Sequence, residues 1–93
     1  MGRRIELGDV EAAISSVEGV DRVCCIFNEE KQEIIAVVSS GIMLEDLIEQ
    51  VKDKLPSYMM PSRYEFLPEF PLNANGKADR TKIKRMYLGG DLV

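Results

Sequence analysis

The sequence contains no histidine and only two cysteines among its 93 residues. The absence of histidine excludes imidazole as a general base, as the activator of a nucleophile and as a metal ligand. A functional site in this chain must therefore use lysine, arginine, carboxylates or backbone groups. We accordingly expect no metal centre.

The two cysteines and the apolar runs indicate the cellular setting. Cys24 and Cys25 are adjacent, and neighbouring side chains on a strand point to opposite faces, so the pair cannot hold a metal together. A disulfide between neighbours is strained, and we favour two reduced, buried thiols in a cytoplasmic protein. No apolar run approaches membrane-spanning length, and no charged-then-apolar leader opens the chain. We therefore expect a soluble protein with no membrane partner.

Apolar residues at helical spacing predict two amphipathic helices, over residues 9–17 and 44–55. Their apolar stripes consist of Val10, Ala13, Ile14 and Val17, and of Leu44, Leu47, Ile48, Val51 and Leu55. Gly19 stands where a left-handed C-terminal cap of the first helix belongs. Residues 81–88 predict a short basic helix with Ile83 and Tyr87 along its inner edge.

Three β-strands are predicted from runs of β-branched, aromatic and other apolar residues. Residues 20–27 and 33–39 are separated by a polar turn and form a hairpin, and residues 64–67 form a third strand. Apolar residues lie on both faces of the first strand, which favours a central position in the sheet. The predicted fold class is α+β: a small antiparallel three-stranded sheet with two amphipathic helices packed on it, plus the C-terminal basic helix.

Residues 71–80, Pro-Leu-Asn-Ala-Asn-Gly-Lys-Ala-Asp-Arg, have a composition that neither a core nor a helix explains. Asn75 and Gly76 accept positive φ at little steric cost, so the chain turns sharply just before Lys77. The flanking residues do not alternate as hairpin strands do, so we expect this turn to display Lys77 and to pair no strands. From spacing alone, a solvated lysine is the favoured interpretation.

Three ordered motifs change that interpretation. Residues 71–80 match Pro-Leu-x-x-Asn-Gly-Lys-x-Asp-Arg, residues 2–11 match Gly-x-Arg-Ile-Glu-Leu-Gly-(Glu/Asp)-(Ile/Val)-Glu, and residues 55–61 match Leu-Pro-x-Tyr-Met-x-Pro. Together they resemble the C-terminal part of the adenylate-forming ligases, the family of amino-acid adenylation domains, acyl-CoA synthetases and luciferases. Two positions depart from the pattern: Ala78 replaces a common valine or isoleucine, and Met1 replaces a basic residue.

The resemblance implies an enzyme that joins a carboxylic acid to ATP and then passes the acyl adenylate to a thiol. It assigns the adenylation lysine to Lys77, presented by Asn75 and Gly76, and it places Gly2 in a loop that lines the path of the thiol. Positive charge is needed because a carboxylate must approach a negatively charged α-phosphate. The acceptor is the phosphopantetheine thiol of a carrier protein, or coenzyme A.

The same resemblance implies that residues 1–93 are a single C-terminal lid subdomain, because the hinge and the large N-terminal subdomain of the family have no counterpart here. That large subdomain would bind ATP, Mg²⁺ and the amino or other carboxylic acid, so we expect the isolated chain to be inactive. Asn-Gly-Lys-x-Asp-Arg together with Leu-Pro-x-Tyr-Met-x-Pro favours amino-acid adenylation domains and D-alanine carrier-protein ligases, which use a carrier protein, over acyl-CoA synthetases.

Two other functions remain open at the level of sequence. The chain could be a stand-alone interaction module of this fold, which binds a carrier protein or a separately encoded large subdomain. A more remote hypothesis is a nucleic-acid binder, because positive charge concentrates near the C-terminus, at Lys77, Arg80, Lys82, Lys84 and Arg85. No aromatic residues interleave with a recognition motif there, so we expect no nucleic-acid partner.

Overall fold

The computed structural model of the protein describes residues 6–88. Its elements, in chain order, are helix α1 (Leu7–Ser15), strands β1 (Val20–Asn28) and β2 (Glu33–Ser40), helix α2 (Leu44–Lys52), a single 3-10 turn (Ser57–Met59), strand β3 (Arg63–Phe66) and helix α3 (Arg80–Leu88). The predicted α+β class is confirmed. Gly2 lies outside the described residues. No helix within residues 6–88 is long and apolar enough to cross a membrane.

The three strands form one sheet in the order β1-β2-β3. β1 and β2 pair antiparallel as the predicted hairpin, but β3 lies parallel to β2, in register from Ile35 opposite Arg63 to Val38 opposite Phe66. The sheet is therefore mixed, and the prediction of a wholly antiparallel sheet is wrong for this pair. The reason is the connection: α2 and the 3-10 turn carry the chain back along the sheet, as a crossover between parallel strands requires.

The central strand is β2, so the predicted central position of β1 is also wrong. Both faces of β1 are nevertheless covered, since Cys24, Cys25 and Ile26 are all buried. Helices supply this cover: α1 packs on one face of the sheet and α3 on the other. Burial of both faces reports layers above and below a strand, and it does not report neighbours at both edges.

Two apolar cores lie on opposite faces of the sheet. The first joins the stripes of α1 and α2 to one face, through Val10, Ile14, Val17, Cys25, Ile34, Ala36, Val38, Leu47, Val51 and Met59. The second joins α3 to the other face, through Cys24, Ile26, Ile35, Val37, Phe70 and Ile83. The predicted stripes of α1 and α2 do meet one shared apolar surface. The inner edge predicted for α3 is also confirmed, because Ile83 is fully buried and Tyr87 packs against the second core.

Candidate functional site

Residues 71–80 form a loop that its own backbone closes, and we call it the lysine loop. Leu72 and Ala78 form an isolated antiparallel bridge. The Asn73 N–H donates to the Lys77 carbonyl oxygen at 2.7 Å, and the Asp79 N–H donates to the Pro71 carbonyl oxygen at 2.8 Å. No strand of the sheet enters this loop, as predicted, but its two arms pair with each other. The alternation rule misses that pairing because it detects only longer strands.

Inside the lysine loop, one side chain fixes the turn. The Asn73 Oδ1 accepts the N–H of Asn75 at 2.8 Å and the N–H of Lys77 at 3.1 Å. The N–H of Gly76 donates to the Asn73 carbonyl oxygen at 3.0 Å. Asparagine is favoured in turns for this bonding, which is the signal in the sequence that could have identified Asn73. The backbone around Lys77 is therefore held in one conformation.

Gly76 has a φ of +80°, which confirms the predicted positive φ before Lys77. An L side chain in this conformation costs about 1–2 kcal/mol. We expect Gly76→Ala to lower the free energy of unfolding by about 1 kcal/mol, measured by urea denaturation. Gly41→Ala is the matched control, since neither glycine has an atom within 4 Å of an added Cβ and only Gly76 of the two has positive φ. Equal losses in the two variants would contradict a conformational role for Gly76.

Lys77 lies on the exposed side of the lysine loop. Within residues 6–88, no carboxylate forms an ion pair with its ammonium group. Asn75 and Gly76, the two predicted presenting residues, are exposed beside it. The structure thus brings three of the four predicted site residues together, whereas the fourth, Gly2, lies outside the described part of the chain. A cation without an internal partner on a fixed backbone can interact with an anion of another molecule.

Helix α3 begins directly behind the lysine loop. The Asp79 Oδ1 accepts the N–H of Lys82 at 3.1 Å, which caps the helix, and the Ile83 N–H donates to the Asp79 carbonyl oxygen at 3.0 Å. Ala78 packs against the second core. The end of the lysine loop and the first turn of α3 therefore form one continuous unit seated on the sheet.

A charged cluster joins α1, β1 and α3, and we call it the edge clip: Glu11, Arg80 and the backbone of Cys25. The Arg80 Nη1 donates to the Glu11 Oε2 at 2.7 Å and to the Cys25 carbonyl oxygen at 2.8 Å, and its Nη2 donates to the Glu11 Oε1 at 3.2 Å. The Cys25 N–H donates to the Glu11 Oε2 at 2.7 Å. The hydrogen bond to Glu11 raises the pKa of Arg80 above its ordinary value.

The edge clip corrects one interpretation of the sequence and adds a residue that sequence reasoning misses. The charge pattern groups Arg80 with a basic surface, yet its guanidinium is engaged by Glu11 and by the outer edge of β1. Nothing local in the sequence indicates that Glu11 has a partner 69 positions away. Lys82, Lys84 and Arg85 remain exposed on α3. The edge clip also satisfies backbone groups that an edge strand would otherwise present.

A shallow cleft of about 450 Å³ lies beside the edge clip, between the end of β1 and α3. Its walls include Arg80 and Lys84 but also the carboxylates of Glu29 and Glu30, so it offers no uniform charge to a ligand. Cys25 borders the cleft as a buried residue, and burial raises the pKa of its thiol to about 12. The thiol is therefore protonated at neutral pH and is no nucleophile.

Thiol labelling tests the burial of the two cysteines. Burial raises the pKa of Cys24 as well as that of Cys25, and both are free thiols. At pH 8 the rise for Cys25 lowers the thiolate fraction by a factor on the order of 10³ relative to the unfolded chain. We expect both cysteines to react with a disulfide reagent far more slowly in the folded chain than in urea. Fast labelling of either cysteine in the folded chain would contradict the burial.

Residues 9–77 match the family described as "AMP-binding enzyme C-terminal domain". The chain belongs to this family. The resemblance inferred from the three motifs is thereby confirmed, and the matched range includes Lys77. Within residues 6–88, no group of acidic residues and cysteines could hold a metal ion, so this AMP-binding C-terminal domain offers a lysine and no metal centre.

Similar proteins support the family assignment. One component of mycosubtilin synthase from Bacillus subtilis is 43% identical over 86 residues, which are 88% of this chain and 3% of that protein. The anguibactin system regulator of Vibrio anguillarum is 35% identical over 96 residues, which are 91% of this chain and 9% of that protein. The structure of Klebsiella oxytoca NpsA in complex with 3-hydroxyanthranilyl-AMSN has a TM-score of 0.83 and 27% identity over 94% of this chain and 18% of that chain. The AMP-binding C-terminal domain thus spans a small part of each of these proteins.

Proposed function

We propose that this chain is the C-terminal lid of an ATP-dependent, AMP-forming ligase and that Lys77 is its adenylation lysine. The observation that carries the proposal is the exposed ammonium group, which has no carboxylate partner within residues 6–88 and stands on a backbone that Asn73 and Gly76 fix. A fixed, unpartnered cation suits a reaction in which negative charge develops on an incoming molecule.

In the adenylation step, a carboxylate oxygen of the acid forms a bond to the α-phosphorus of ATP as the bond to the leaving pyrophosphate breaks. Two anions must approach each other, and charge then accumulates on the oxygens around phosphorus. The ammonium of Lys77 contacts both groups and lowers the energy of the transition state more than that of the separated reactants. The lysine acts through charge and position, and no proton transfer from it is needed.

In the second step, a thiol attacks the carbonyl carbon of the acyl adenylate, loses its proton, and AMP departs. Lys77 must withdraw so that the thiol can reach the same carbon, and a lid that rotates accomplishes this. Gly2 stays our prediction for the thiol path. We infer a phosphopantetheine thiol on a carrier protein as the acceptor, which the similarity to mycosubtilin synthase supports. Better transfer to coenzyme A than to any carrier protein would overturn the choice of acceptor.

Residues 1–93 would then depend on a larger subdomain for the nucleotide, its Mg²⁺ and the acid. The described residues contribute one lysine and a basic helix, whereas a nucleotide site is a concave pocket with several convergent polar groups. The small share of its relatives that this chain spans supports that division of labour. A stand-alone interaction module is the alternative, and measurable binding of a carrier protein by the isolated chain would favour it.

The isolated chain provides a direct test. We expect calorimetric titration with Mg-ATP to release little heat and pyrophosphate exchange to be absent, because no nucleotide pocket among the described residues concentrates the ligand around Lys77. Residues 1–93 with Lys77→Ala serve as the control for non-specific charge effects. Micromolar binding of ATP that depends on Lys77 would show that this domain holds a nucleotide site of its own and would overturn the proposed dependence on a larger subdomain.

A further inference from the structure

Two of the three sequence motifs end on side chains that meet in the folded chain. Glu11 is the last residue of the first motif and lies in α1, and Arg80 is the last residue of the third motif and begins α3. Their carboxylate and guanidinium make two hydrogen bonds to each other, of 2.7 and 3.2 Å. The edge clip therefore ties the start of α1 to the start of α3 across the outer edge of β1.

The lysine loop cannot set its own position on the sheet. Its internal hydrogen bonds, from Asn73 to Asn75 and Lys77, fix its shape and leave its orientation open. Orientation depends on the unit that follows, the first turn of α3. Ile83 seats that turn in the second core, but apolar packing is not directional. The bonds of Arg80 in the edge clip supply direction, because paired guanidinium and carboxylate groups adopt a restricted geometry.

The burial of the edge clip strengthens this restraint. The Glu11 side chain is 18% exposed, whereas the Arg80 side chain is 52% exposed. The carboxylate is thus shielded on its protein side and holds both the Cys25 N–H and the guanidinium. A pair of this kind is more restrained than a fully solvated surface pair, which contributes little.

We propose that Glu11 is a positioning residue for the ligase reaction: through the edge clip it sets where Lys77 stands during adenylation. This rests on the function proposed above for Lys77. Glu11 itself touches no substrate. Its effect passes from its carboxylate to Arg80, from Arg80 to the first turn of α3, and from there along Ala78 to Lys77. A displacement of about 1 Å in a reacting group can lower a rate by about 10²-fold.

The test uses the complete ligase, made by joining residues 1–93 to the large subdomain of a close relative. Glu11→Gln keeps an acceptor for the Cys25 N–H and removes the charge that holds Arg80. We expect it to lower kcat for adenylation by about 10- to 100-fold with little change in the KM for ATP, and to spare thiol transfer from a supplied acyl adenylate. Glu18→Gln, which removes the same charge from an exposed residue, should change neither step.

A double-mutant cycle separates positioning from general support of the fold. If Glu11 acts through Lys77, then Glu11→Gln combined with Lys77→Ala should be no slower in adenylation than Lys77→Ala alone. A full multiplicative loss in the double variant, or an unchanged rate in Glu11→Gln, would overturn the positioning role. An unchanged rate in Lys77→Ala would instead overturn the proposed function, and the positioning role with it.

Thermal unfolding of each variant accompanies the rate measurements. Arg80→Lys is the second variant for the same cycle, and it replaces Glu11→Gln if that protein does not fold. A lysine keeps the charge at position 80 but cannot make two parallel bonds to Glu11. We expect the same pattern from it: slower adenylation, retained thiol transfer, and no further loss when Lys77 is also replaced. Additive losses would overturn the proposal here too.

Discussion

In the complete ligase, Lys77→Ala should lower the rate of acyl-adenylate formation by a factor on the order of 10² to 10⁴, with the protein still folded. The ammonium would otherwise offset the repulsion between the incoming carboxylate and the α-phosphate, and this help is largest in the transition state. Pyrophosphate exchange measures the step. Because Lys77 is exposed and pairs with no carboxylate within residues 6–88, its removal breaks no ion pair there that the fold needs.

Thiol transfer is the internal control for Lys77→Ala. Once the lid has rotated, position 77 is away from the carbonyl carbon, so transfer from a supplied acyl adenylate should survive. Lys82→Ala is the matched variant, because it removes another exposed lysine from the same basic region. Equal damage to both steps in Lys77→Ala would indicate that the lysine supports the loop or lid in general.

The second large effect is on stability. Ile83→Ala should lower the free energy of unfolding by about 2–5 kcal/mol, since Ile83 is fully buried and is the buried residue of α3 in the second core. A loss of this size is a large fraction of the stability of a small domain. Urea denaturation, followed by circular dichroism, measures it.

Met86→Ala is the control for Ile83→Ala, because Met86 lies in the same helix and is 51% exposed. We expect a change of less than about 0.5 kcal/mol there. If the two variants lose the same stability, then α3 does not pack on the sheet through Ile83. The lysine loop would in that case lack the seat that α3 gives it.

Local patterns in the sequence predict the helices and the glycines well. The stripes of α1 and α2 depend only on spacing along one helix, and both lie in the first core. Gly19 and Gly76 both have positive φ, as their places after a helix and in an Asn-Gly turn indicate. These features could be predicted because each is decided by a few neighbouring residues.

The features that depend on distant residues could not be predicted. The direction of β3 follows from the path of α2 across the sheet, which the composition of residues 63–67 does not encode. The edge position of β1 is hidden because helices cover both of its faces. Glu11 and Arg80 each resemble a solvated charge until the fold brings them together. Lys77 itself was identified by resemblance, since a single exposed lysine has no distinguishing local pattern.

The central claim is that this chain supplies the adenylation lysine to a larger enzyme. Pyrophosphate exchange by a relative's large subdomain, measured alone and then joined to residues 1–93, tests it most directly. We predict weak exchange by the large subdomain alone, a rise on the order of 10² or more when the wild-type chain is joined, and little of that rise when the joined chain carries Lys77→Ala. An equal rise with wild-type and Lys77→Ala chains, or no rise with either folded chain, would contradict it.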